Sequence, residues 1–288
     1  MRVLVTGSGG QLATYLGQEF AGHQVSAMSR EQLNIIDPTR FDDILRRLEP
    51  DVVINTAAFH NLPQCEKDPL TSFQVNACAP FLLGKACQGA GVKLVHVSTD
   101  YVFGGDHGAK IWTETDRPHP QSVYAVSKLA GEHLVQQALE SHLIVRTCGL
   151  YGARGSAEKN GNFVLTMLRL GRESGEVRVV NDQICAPTFA RHLAIAILLL
   201  VEGGHNGVFH IVNSGACSWY DFAVEIFRSA GMSVNTRPVS SNEYCDGVRR
   251  PHYSVLDCSR YREATGQQIP AWEDGIREYL AEIGEISS

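Results

Sequence analysis

The chain opens with a short apolar run, Arg2-Val-Leu-Val-Thr6, which leads directly into the segment Gly7-Ser8-Gly9-Gly10-Gln11-Leu12-Ala13. This order predicts a strand, a tight turn and a helix. Gly7 permits the turn, Gly10 lets the backbone approach a pyrophosphate, and the small Ala13 lets the helix pack close to the strand. Free N–H groups and the helix dipole favour an anion at the start of that helix. The segment therefore predicts a dinucleotide-binding α/β fold.

Strand-like and helix-like stretches alternate over the first half of the chain. Strands are predicted at residues 3–6, 24–27, 52–55, 93–97 and 143–146, and helices near 10–21, 38–48, 69–89 and 122–138. Asp37 and Pro38 are a suitable N-cap and first-turn proline for the second helix. This alternation predicts a Rossmann fold, a doubly wound parallel sheet with helices on both faces.

The pattern changes after about residue 150, where a polar glycine-rich loop spans residues 152–161. The sequence predicts a dinucleotide-binding domain at residues 1–150, to which about 188–212 return as a helix and a strand. Residues 151–187 and 213–288 are predicted to form a smaller C-terminal lobe that binds the substrate. A chain of 288 residues with 44% hydrophobic content has enough apolar side chains for such a core.

Tyr124 and Lys128 lie four residues apart in Tyr-Ala-Val-Ser-Lys, and Thr99 lies twenty-five residues before the tyrosine. When a hydride adds to a ketone, the oxygen needs an acid within reach and a second donor that holds it. A free phenol titrates near ~10, and a cation one helical turn away lowers that pKa. The spacing places Lys128 on the same helix face as Tyr124. We therefore expect Tyr124 to donate the proton, with a depressed pKa.

The residues after the second strand determine which dinucleotide is favoured. Sites specific for NAD usually place Asp or Glu there, on the ribose hydroxyls. Here the strand is followed by Ser29 and Arg30. A guanidinium can pair with a 2′-phosphate, so NADPH is favoured over NADH. Glu31 follows directly and could reach the ribose instead, which leaves NADH open.

Composition excludes several other classes of function. A net charge of −6 without a long Lys/Arg cluster argues against a nucleic-acid surface. The longest aliphatic stretch, residues 193–201, is too short to span a bilayer, and the chain begins without a leader, so we expect a cytoplasmic protein. Eight scattered cysteines lack zinc-ligand spacing, which predicts free thiols and no metal. His96, in strand-like surroundings, is expected to be a hydrogen-bonded core residue.

Six motifs together give the chain a specific family resemblance. They are Gly7-x-x-Gly10-Gln11-Leu12, Ser98-Thr-Asp-Tyr-Val-Phe103, Tyr124-x-x-Ser-Lys128-Leu-x-Gly-Glu132, Asn181-Asp-Gln183, Ala186-Pro-Thr188 and Arg250-Pro-x-x-Ser254-x-Leu256. Over residues 1 to about 283 the chain resembles the dTDP-4-dehydrorhamnose reductase family of extended short-chain dehydrogenases. The resemblance implies NADPH-dependent reduction of the C4 ketone of a dTDP-bound 6-deoxy sugar, with dTDP-L-rhamnose as the expected product, in carbohydrate biosynthesis.

The resemblance also implies a set of site residues. The catalytic residues would be Thr99, Tyr124 and Lys128. The dinucleotide would be bound by Gly7, Gly9, Gly10, Gln11, Leu12, Ser29, Arg30, Asn34, Thr56, Ala57, Ala58, Tyr124 and Lys128. The sugar nucleotide would be bound by His60, Thr99, Tyr101, Phe103, Asn162 and Arg250. Some members of the family form a metal-linked homodimer through acidic side chains; Arg191 occupies one matching position, so no metal is predicted and a homodimer stays open.

The chain departs from the family pattern at three positions. Asn34 replaces a usual aspartate near the adenine and keeps hydrogen bonding without the charge. His60 stands where a threonine is usual and would face the substrate. Gly149, in Arg146-Thr-Cys-Gly-Leu-Tyr151, stands where well-described members carry a tryptophan beside the sugar. We expect that loss to leave an enlarged or differently filled pocket and looser discrimination among sugars.

Other functions remain to be compared with these motifs. A nucleotide-sugar dehydratase needs a glutamate after the Thr-Asp pair, and Tyr101 stands there instead. A 4-epimerase or another nucleotide-sugar reductase would share the motifs, and an epimerase would keep its nicotinamide tightly bound. A non-catalytic nucleotide-binding regulatory subunit, like that of methionine adenosyltransferase, is suggested by Leu256-Asp-Cys-Ser259. The intact set of Thr99, Tyr124 and Lys128 argues against that last alternative.

Overall fold

The computed structural model of the protein describes residues 1–105, 108–153, 161–244 and 246–287. Most of the polar loop predicted at residues 152–161, and Cys245, lie outside these ranges. The strands are β1 (Arg2–Thr6), β2 (Gln24–Met28), β3 (Val52–Asn55), β4 (Lys93–Thr99), β5 (His142–Thr147), β6 (Glu176–Val180), β7 (Ile184–Cys185), β8 (Gly207–His210), β9 (Cys217–Ser218) and β10 (Asn235–Val239). The helices are α1 (Gln11–Glu19), α2 (Phe41–Leu48), α3 (Leu62–Lys67), α4 (Pro69–Phe73), α5 (Ala79–Ala90), α6 (Val123–Ala138), α7 (Phe163–Ser174), α8 (Ala190–Glu202), α9 (Trp219–Ser229), α10 (Ser259–Thr265) and α11 (Trp272–Glu282).

Both faces of the main sheet are buried, as the apolar strands predict. In β1, Val3 and Val5 pack into a core shared with α1 and α8. Leu4 points the other way, into a core shared with α2, α5 and α6. Successive side chains of a strand face opposite sides, so helices must cover both faces to exclude water from this run. The predicted doubly wound α/β architecture is therefore confirmed.

The main sheet, within the described residues, has six parallel strands in the order β2-β1-β3-β4-β5-β8. The chain moves outward from β1 to β2 and then crosses back to β3 on the other side. Such a reversal opens a crevice at the carboxyl ends of the two central strands, where ligands bind in folds of this kind. Thr6 and Asn55 end these two strands, and Thr99 ends the next one.

The helix predicted at residues 69–89 is not regular. It contains α4, a π-helical segment at Gln74–Cys78 and then α5. The π segment brings its backbone close to α6, because a Cβ added to Gly131 would lie 2.1 Å from the carbonyl oxygen of Asn76. Only glycine fits at this contact. The Asn76 side chain, meanwhile, bonds the backbone N–H and C=O of Phe59 on the loop after β3.

A buried ion pair fixes α6 to the sheet. Arg146 on β5 donates from Nε and Nη2 to the Glu132 carboxylate on α6, at 3.0 and 2.6 Å. Ser98 on β4 donates to the same carboxylate at 2.5 Å. Both charged side chains are at least 95% buried. The contacts set how α6 lies on β4 and β5, and so they position every residue that α6 presents.

The second half of the chain contributes both to the main sheet and to elements outside it. β8 returns to the main sheet and pairs in parallel with β5, while α8 packs against α1. Outside that sheet lie a parallel pair, β6 with β10, and a short antiparallel pair, β7 with β9. α7 and α9 pack against these strands, and α11 packs against α9. The assignment of this smaller lobe to substrate binding stays a prediction.

Candidate active site

A cavity of about 350 Å³ lies at the carboxyl ends of the central strands, between the main sheet and the smaller lobe. Residues from both halves of the chain line it. They are Gly10, Gln11, Leu12, Thr56, Ala58, His60, Leu62, Val97, Ser98, Thr99, Asp100, Tyr101, Tyr124, Lys128, Thr147, Cys148, Gly149, Leu150, Gly161, Asn162, Phe163 and Trp219. The fold therefore brings the glycine turn and the proposed catalytic residues to one cavity.

The glycine turn has the backbone that the sequence predicts. Gly7 has a φ of +76°, and a Cβ there would lie 3.1 Å from the backbone nitrogen of Ala57. Gly10 is the N-cap of α1, and no side chain caps that helix. This leaves the start of α1 open to a ligand, and Gly10, Gln11 and Leu12 line the cavity. The turn fits the pyrophosphate of a dinucleotide.

The turn also lies beside the end of β2. The N–H of Ser8 donates to the carbonyl of Met28 at 3.0 Å, so Ser29 and Arg30 follow immediately beside the glycine turn. Arg30 is exposed. Asn34 accepts from the N–H of Ile36 at 3.4 Å. The placement of Ser29 and Arg30 fits a ribose or a 2′-phosphate carried on the same dinucleotide.

Tyr124 and Lys128 both face the cavity from α6, one helical turn apart. Ser122 caps the helix by accepting from the N–H of Ala125, and Glu66 accepts from the N–H of Val123. These contacts fix the first turn, in which Tyr124 is the second residue. The ring of Tyr124 packs edge-on against that of Tyr101, with 6.2 Å between centroids.

Lys128 is almost fully buried behind the cavity surface. Its Nζ donates to the carbonyl oxygen of Val97 at 2.7 Å and lies 3.3 Å from Nε2 of His96. Nδ1 of His96 in turn lies 3.3 Å from the Asn55 amide, which accepts from the Thr6 hydroxyl at 2.7 Å. The predicted hydrogen-bonded core role of His96 is confirmed, and the histidine also contacts the lysine amine.

The titration of these groups differs from the expectation. Burial raises the pKa of Tyr124 above its usual range, and the nearby Asp100 carboxylate raises it further, although contact with the Thr99 hydroxyl lowers it. Burial lowers the pKa of Lys128 to about 8, against the opposing charge of Glu132. The expected depression of the tyrosine pKa is therefore wrong in this structure, because desolvation of the buried phenol dominates. At neutral pH Tyr124 is a fully protonated acid.

Asp100 is a buried carboxylate beside Thr99 to which the sequence analysis assigned no role. Thr99 Oγ1 donates to it at 3.1 Å and accepts from the N–H of Tyr101 at 3.2 Å. Ser254 donates to its other oxygen at 2.5 Å. Burial raises the pKa of Asp100 to about 6 despite these bonds. The position of Asp100 in the motif Ser98-Thr-Asp-Tyr, next to Thr99, could have identified it from the sequence. Its contact with Ser254, 154 residues later, could be seen only in the structure.

The predicted substrate residues differ in whether they line the cavity. His60, Tyr101 and Asn162 line the cavity beside Thr99. Arg250 does not line it and pairs with Asp246. Burial raises the pKa of Tyr101, and the nearby Arg250 guanidinium only partly opposes that shift. Both hydrogens of the Asn162 amide and its oxygen are engaged, since the side chain caps α7 and bonds Gln11 and Tyr279.

Phe103 is a correction to the sequence analysis. Its side chain is completely buried, and its ring stacks on Trp112 with centroids 4.7 Å apart. The guanidinium carbon of Arg146 lies 5.1 Å from the centroid of the Phe103 ring. Phe103 therefore has no surface to offer a substrate. A sequence motif does not distinguish an aromatic residue that faces a ligand from one that is buried in the core. Only the packing in the structure makes that distinction.

Several other predictions can be placed against the structure. Of the described cysteines, Cys87, Cys148, Cys185 and Cys217 are buried free thiols, Cys65 is also buried, Cys258 is partly buried, and Cys78 is exposed. Arg191 pairs with Glu19 at 2.7 Å. Among the described residues, no group of His, Cys, Asp and Glu could hold a metal ion, and no helix has the length and apolarity needed to cross a membrane.

This fold and this site define a nicotinamide-dependent oxidoreductase of the extended short-chain dehydrogenase class, with a Thr–Tyr–Lys set at the end of its parallel sheet. The family profile described as the RmlD substrate binding domain matches residues 1–285. The chain belongs to this family.

Individual relatives cover nearly the whole chain. It is 38% identical to the spore coat polysaccharide biosynthesis protein SpsK of Bacillus subtilis, over 98% of this chain and 97% of that one. It is 37% identical to the dTDP-4-dehydrorhamnose reductase of Mycobacterium tuberculosis, over 97% and 92%. The crystal structure of the Bacillus anthracis dTDP-4-dehydrorhamnose reductase in complex with NADP superimposes with a TM-score of 0.93 at 36% identity, covering 98% of this chain and 99% of that one.

Proposed function

We propose that the protein uses NADPH to reduce the C4 ketone of a dTDP-linked 6-deoxy-4-keto sugar, with dTDP-4-dehydrorhamnose as substrate and dTDP-L-rhamnose as product. The observation that carries the proposal is the convergence of Thr99, Tyr124 and Lys128 with the glycine turn on one cavity. Relatives named for this reaction match at 33–37% identity, and one structural neighbour holds NADP.

NADPH would supply the hydride that is delivered to C4. The turn at Gly7 and Gly10 would hold the pyrophosphate, and Arg30 would pair with the 2′-phosphate. Lys128 would donate a hydrogen bond to the ribose next to the nicotinamide. Its ammonium has three N–H groups, and Val97 takes one of them. This set orders the cofactor with its reactive end toward Tyr124.

Tyr124 would give its phenolic proton to the C4 oxygen as the hydride arrives. Its raised pKa keeps the hydroxyl protonated at neutral pH, so the proton is available for transfer. Thr99 would hold the same oxygen. The hydroxyl of Thr99 has a single proton, which it gives to Asp100 in this structure. It must turn that proton toward the substrate, while Ser254 continues to donate to Asp100.

The regulatory-subunit alternative has less support in the structure. The segment Leu256–Ser259, which suggested this alternative, stabilises the fold. Leu256 is buried in a core cluster, and Asp257 accepts from the N–H of Ser259 at 2.6 Å. The reduction requires a protonated acid facing a cavity, and Tyr124 provides one. A regulatory subunit would have no use for that acid.

The test is the consumption of NADPH by the purified protein, followed by absorbance, with dTDP-4-dehydrorhamnose as substrate. The Tyr124→Phe variant removes the acid and little of the shape. Its turnover should fall ~10²–10⁴-fold, as general acid catalysis predicts, while NADPH binding stays close to normal. The Tyr261→Phe variant, on α10, is a matched control with the same chemical change outside the cavity lining.

Near-normal turnover by Tyr124→Phe would refute the mechanism. NADPH binding without any turnover of the dTDP-4-keto sugar by the unmodified protein would refute the proposed reaction and favour the regulatory reading. Protein that purifies with bound NAD and interconverts a sugar nucleotide without added cofactor would indicate an epimerase instead.

A further inference from the structure

Trp219 is an aromatic side chain of the cavity that none of the sequence motifs singled out. It is the first residue of α9, it is half-buried, and it lines the cavity that also holds Thr99 and Tyr124. The ring of Phe163, another lining residue, packs against it with centroids 4.8 Å apart. Together the two rings make an apolar wall in a cavity that also has polar lining residues such as Thr99 and His60.

The backbone before Trp219 is firmly fixed. Ser218 and Asp221 form a capping box in which the N–H of Asp221 bonds the Ser218 hydroxyl and the N–H of Ser218 bonds the Asp221 carboxylate, both at 3.0 Å. Ser218 also pairs with Ile184 in the short antiparallel sheet. A side chain placed by two such constraints loses little freedom when a ligand binds, which favours affinity.

Gly149 accounts for the position of the indole. It has a φ of +51°, and a Cβ built there would lie 3.1 Å from Cη2 of Trp219 and 3.2 Å from the Cα of Pro187. Any side chain at residue 149 would therefore be strained and would begin in contact with the indole. Because this position carries only hydrogen, nothing from residue 149 covers that edge of Trp219.

We propose that Trp219 is a specificity-determining residue that packs against the apolar face of the sugar ring and its C6 methyl group. The inference rests on the proposed function, since it takes a 6-deoxyhexose as the occupant. One face of a hexose ring presents C–H groups, and a 6-deoxy sugar adds a methyl group. These groups suit the electron-rich face of an indole. The sugar oxygens are left to polar lining residues such as Thr99 and His60.

The first experiment observes Trp219 directly in the unmodified protein. The chain has three tryptophans, Trp112, Trp219 and Trp272, so fluorotryptophan labelling gives a fluorine NMR spectrum that the Trp219→Phe variant can assign. Saturating dTDP-L-rhamnose should shift the Trp219 resonance, whereas dTDP alone should leave it almost unchanged. A resonance that moves equally with dTDP and with dTDP-L-rhamnose, or with neither, overturns the proposal.

The second experiment measures affinity by calorimetry. The Trp219→Leu variant should bind dTDP-L-rhamnose about tenfold or more weakly, the scale expected for lost apolar contact in a pocket, and should bind dTDP with unchanged affinity. Trp219→Phe should recover most of the loss. Trp272→Phe is the matched control, because Trp272 is buried against Phe222 and does not line the cavity.

The outcomes separate this inference from the proposed function. If Trp219→Leu binds dTDP-L-rhamnose as the unmodified protein does, Trp219 has no part in sugar recognition, whatever the enzyme reduces. Equal losses for dTDP and dTDP-L-rhamnose would indicate a general disturbance of the fold and would also overturn it. If the unmodified protein binds neither dTDP-L-rhamnose nor its keto precursor, the proposed function itself fails.

Discussion

Lys128 is the residue whose protonation governs the pH dependence we expect. Below pH 8 its amine is charged, and it loses that charge as the pH rises through its pKa of about 8. The ammonium is the form that offers the most donors to the cofactor ribose. The value of kcat/KM for reduction should therefore decline above about pH 8, in a profile measured under constant ionic strength. Tyr124 does not contribute to this decline, the alkaline limb of the pH profile, because its pKa is raised.

The two candidate groups make different predictions for this profile. A rate that stays level through pH 8 and declines only above ~10 would assign the limb to the phenol and contradict the role of the lysine. The Lys128→Met variant has no amine to titrate, so its residual activity should lack the limb near pH 8. It should also bind NADPH more weakly.

Arg30 is the residue that we expect to select the cofactor. It stands at the end of β2, beside the glycine turn, where an acidic side chain would repel a 2′-phosphate. The unmodified protein should bind NADPH more tightly than NADH. Arg30→Ala should erase most of that preference, since one charge-assisted contact contributes ~1.5–3 kcal/mol.

Dissociation constants for the two nucleotides, measured by calorimetry, check this expectation. Arg46→Ala is a suitable control, because Arg46 lies on α2 and pairs with Asp43 on the same helix. Equal constants for NADPH and NADH in the unmodified protein would show that Arg30 selects nothing. A loss of NADH affinity in Arg30→Ala equal to the loss of NADPH affinity would assign Arg30 to the common part of the cofactor.

At the scale of elements, the ion pair of Glu132 and Arg146 holds α6, and thus both Tyr124 and Lys128, against β4 and β5. Glu132→Gln removes one charge from a buried pair and leaves the guanidinium without its counter-charge. Breaking such a pair costs ~3–5 kcal/mol of the free energy of unfolding, because desolvation of the remaining charge is uncompensated. Denaturant-induced unfolding, monitored by circular dichroism, measures this loss.

The matched change on the surface is Glu173→Gln. Glu173 pairs with Arg169 one turn away on α7, and both side chains are more than half exposed. Such pairs contribute about 0–1 kcal/mol, so this variant should unfold close to the unmodified protein. Equal stability of the Glu132 and Glu173 variants would mean that the buried pair is not what fixes α6.

The helices also show which structural features a local sequence pattern can predict and which it cannot. The helices predicted near residues 10–21, 38–48 and 122–138 correspond to α1, α2 and α6. Asp37 and Pro38, predicted to start the second helix, instead begin a 3₁₀ turn at Pro38–Arg40 that precedes α2. The π segment at Gln74–Cys78 was not predicted. Its sequence suits an ordinary helix, and its irregularity matches the approach of Gly131 on α6, more than fifty residues later.

At the scale of the whole molecule, the site forms where two lobes meet. The main sheet supplies the glycine turn, Thr99 and the two α6 residues, while the smaller lobe supplies Phe163 and Trp219. Gly149 and Trp219 are seventy positions apart and touch only through this arrangement. Trp219 and Pro187 lie next to Gly149, and the expectation of an enlarged or differently filled pocket with looser sugar discrimination stays a prediction.

The sequence by itself determined the α/β class, the strands of the main sheet and the glycine turn, and it predicted the Thr99, Tyr124 and Lys128 set. These features rest on local patterns, in which backbone conformation and periodic burial are written into neighbouring residues. Only the tertiary structure decided that Phe103 is buried, that the pKa of Tyr124 is raised, that Asp100 binds Ser254, and that Trp219 faces the cavity. Each of these depends on which distant residue excludes water from a side chain, and burial of that kind is set by packing between elements that the sequence order keeps apart.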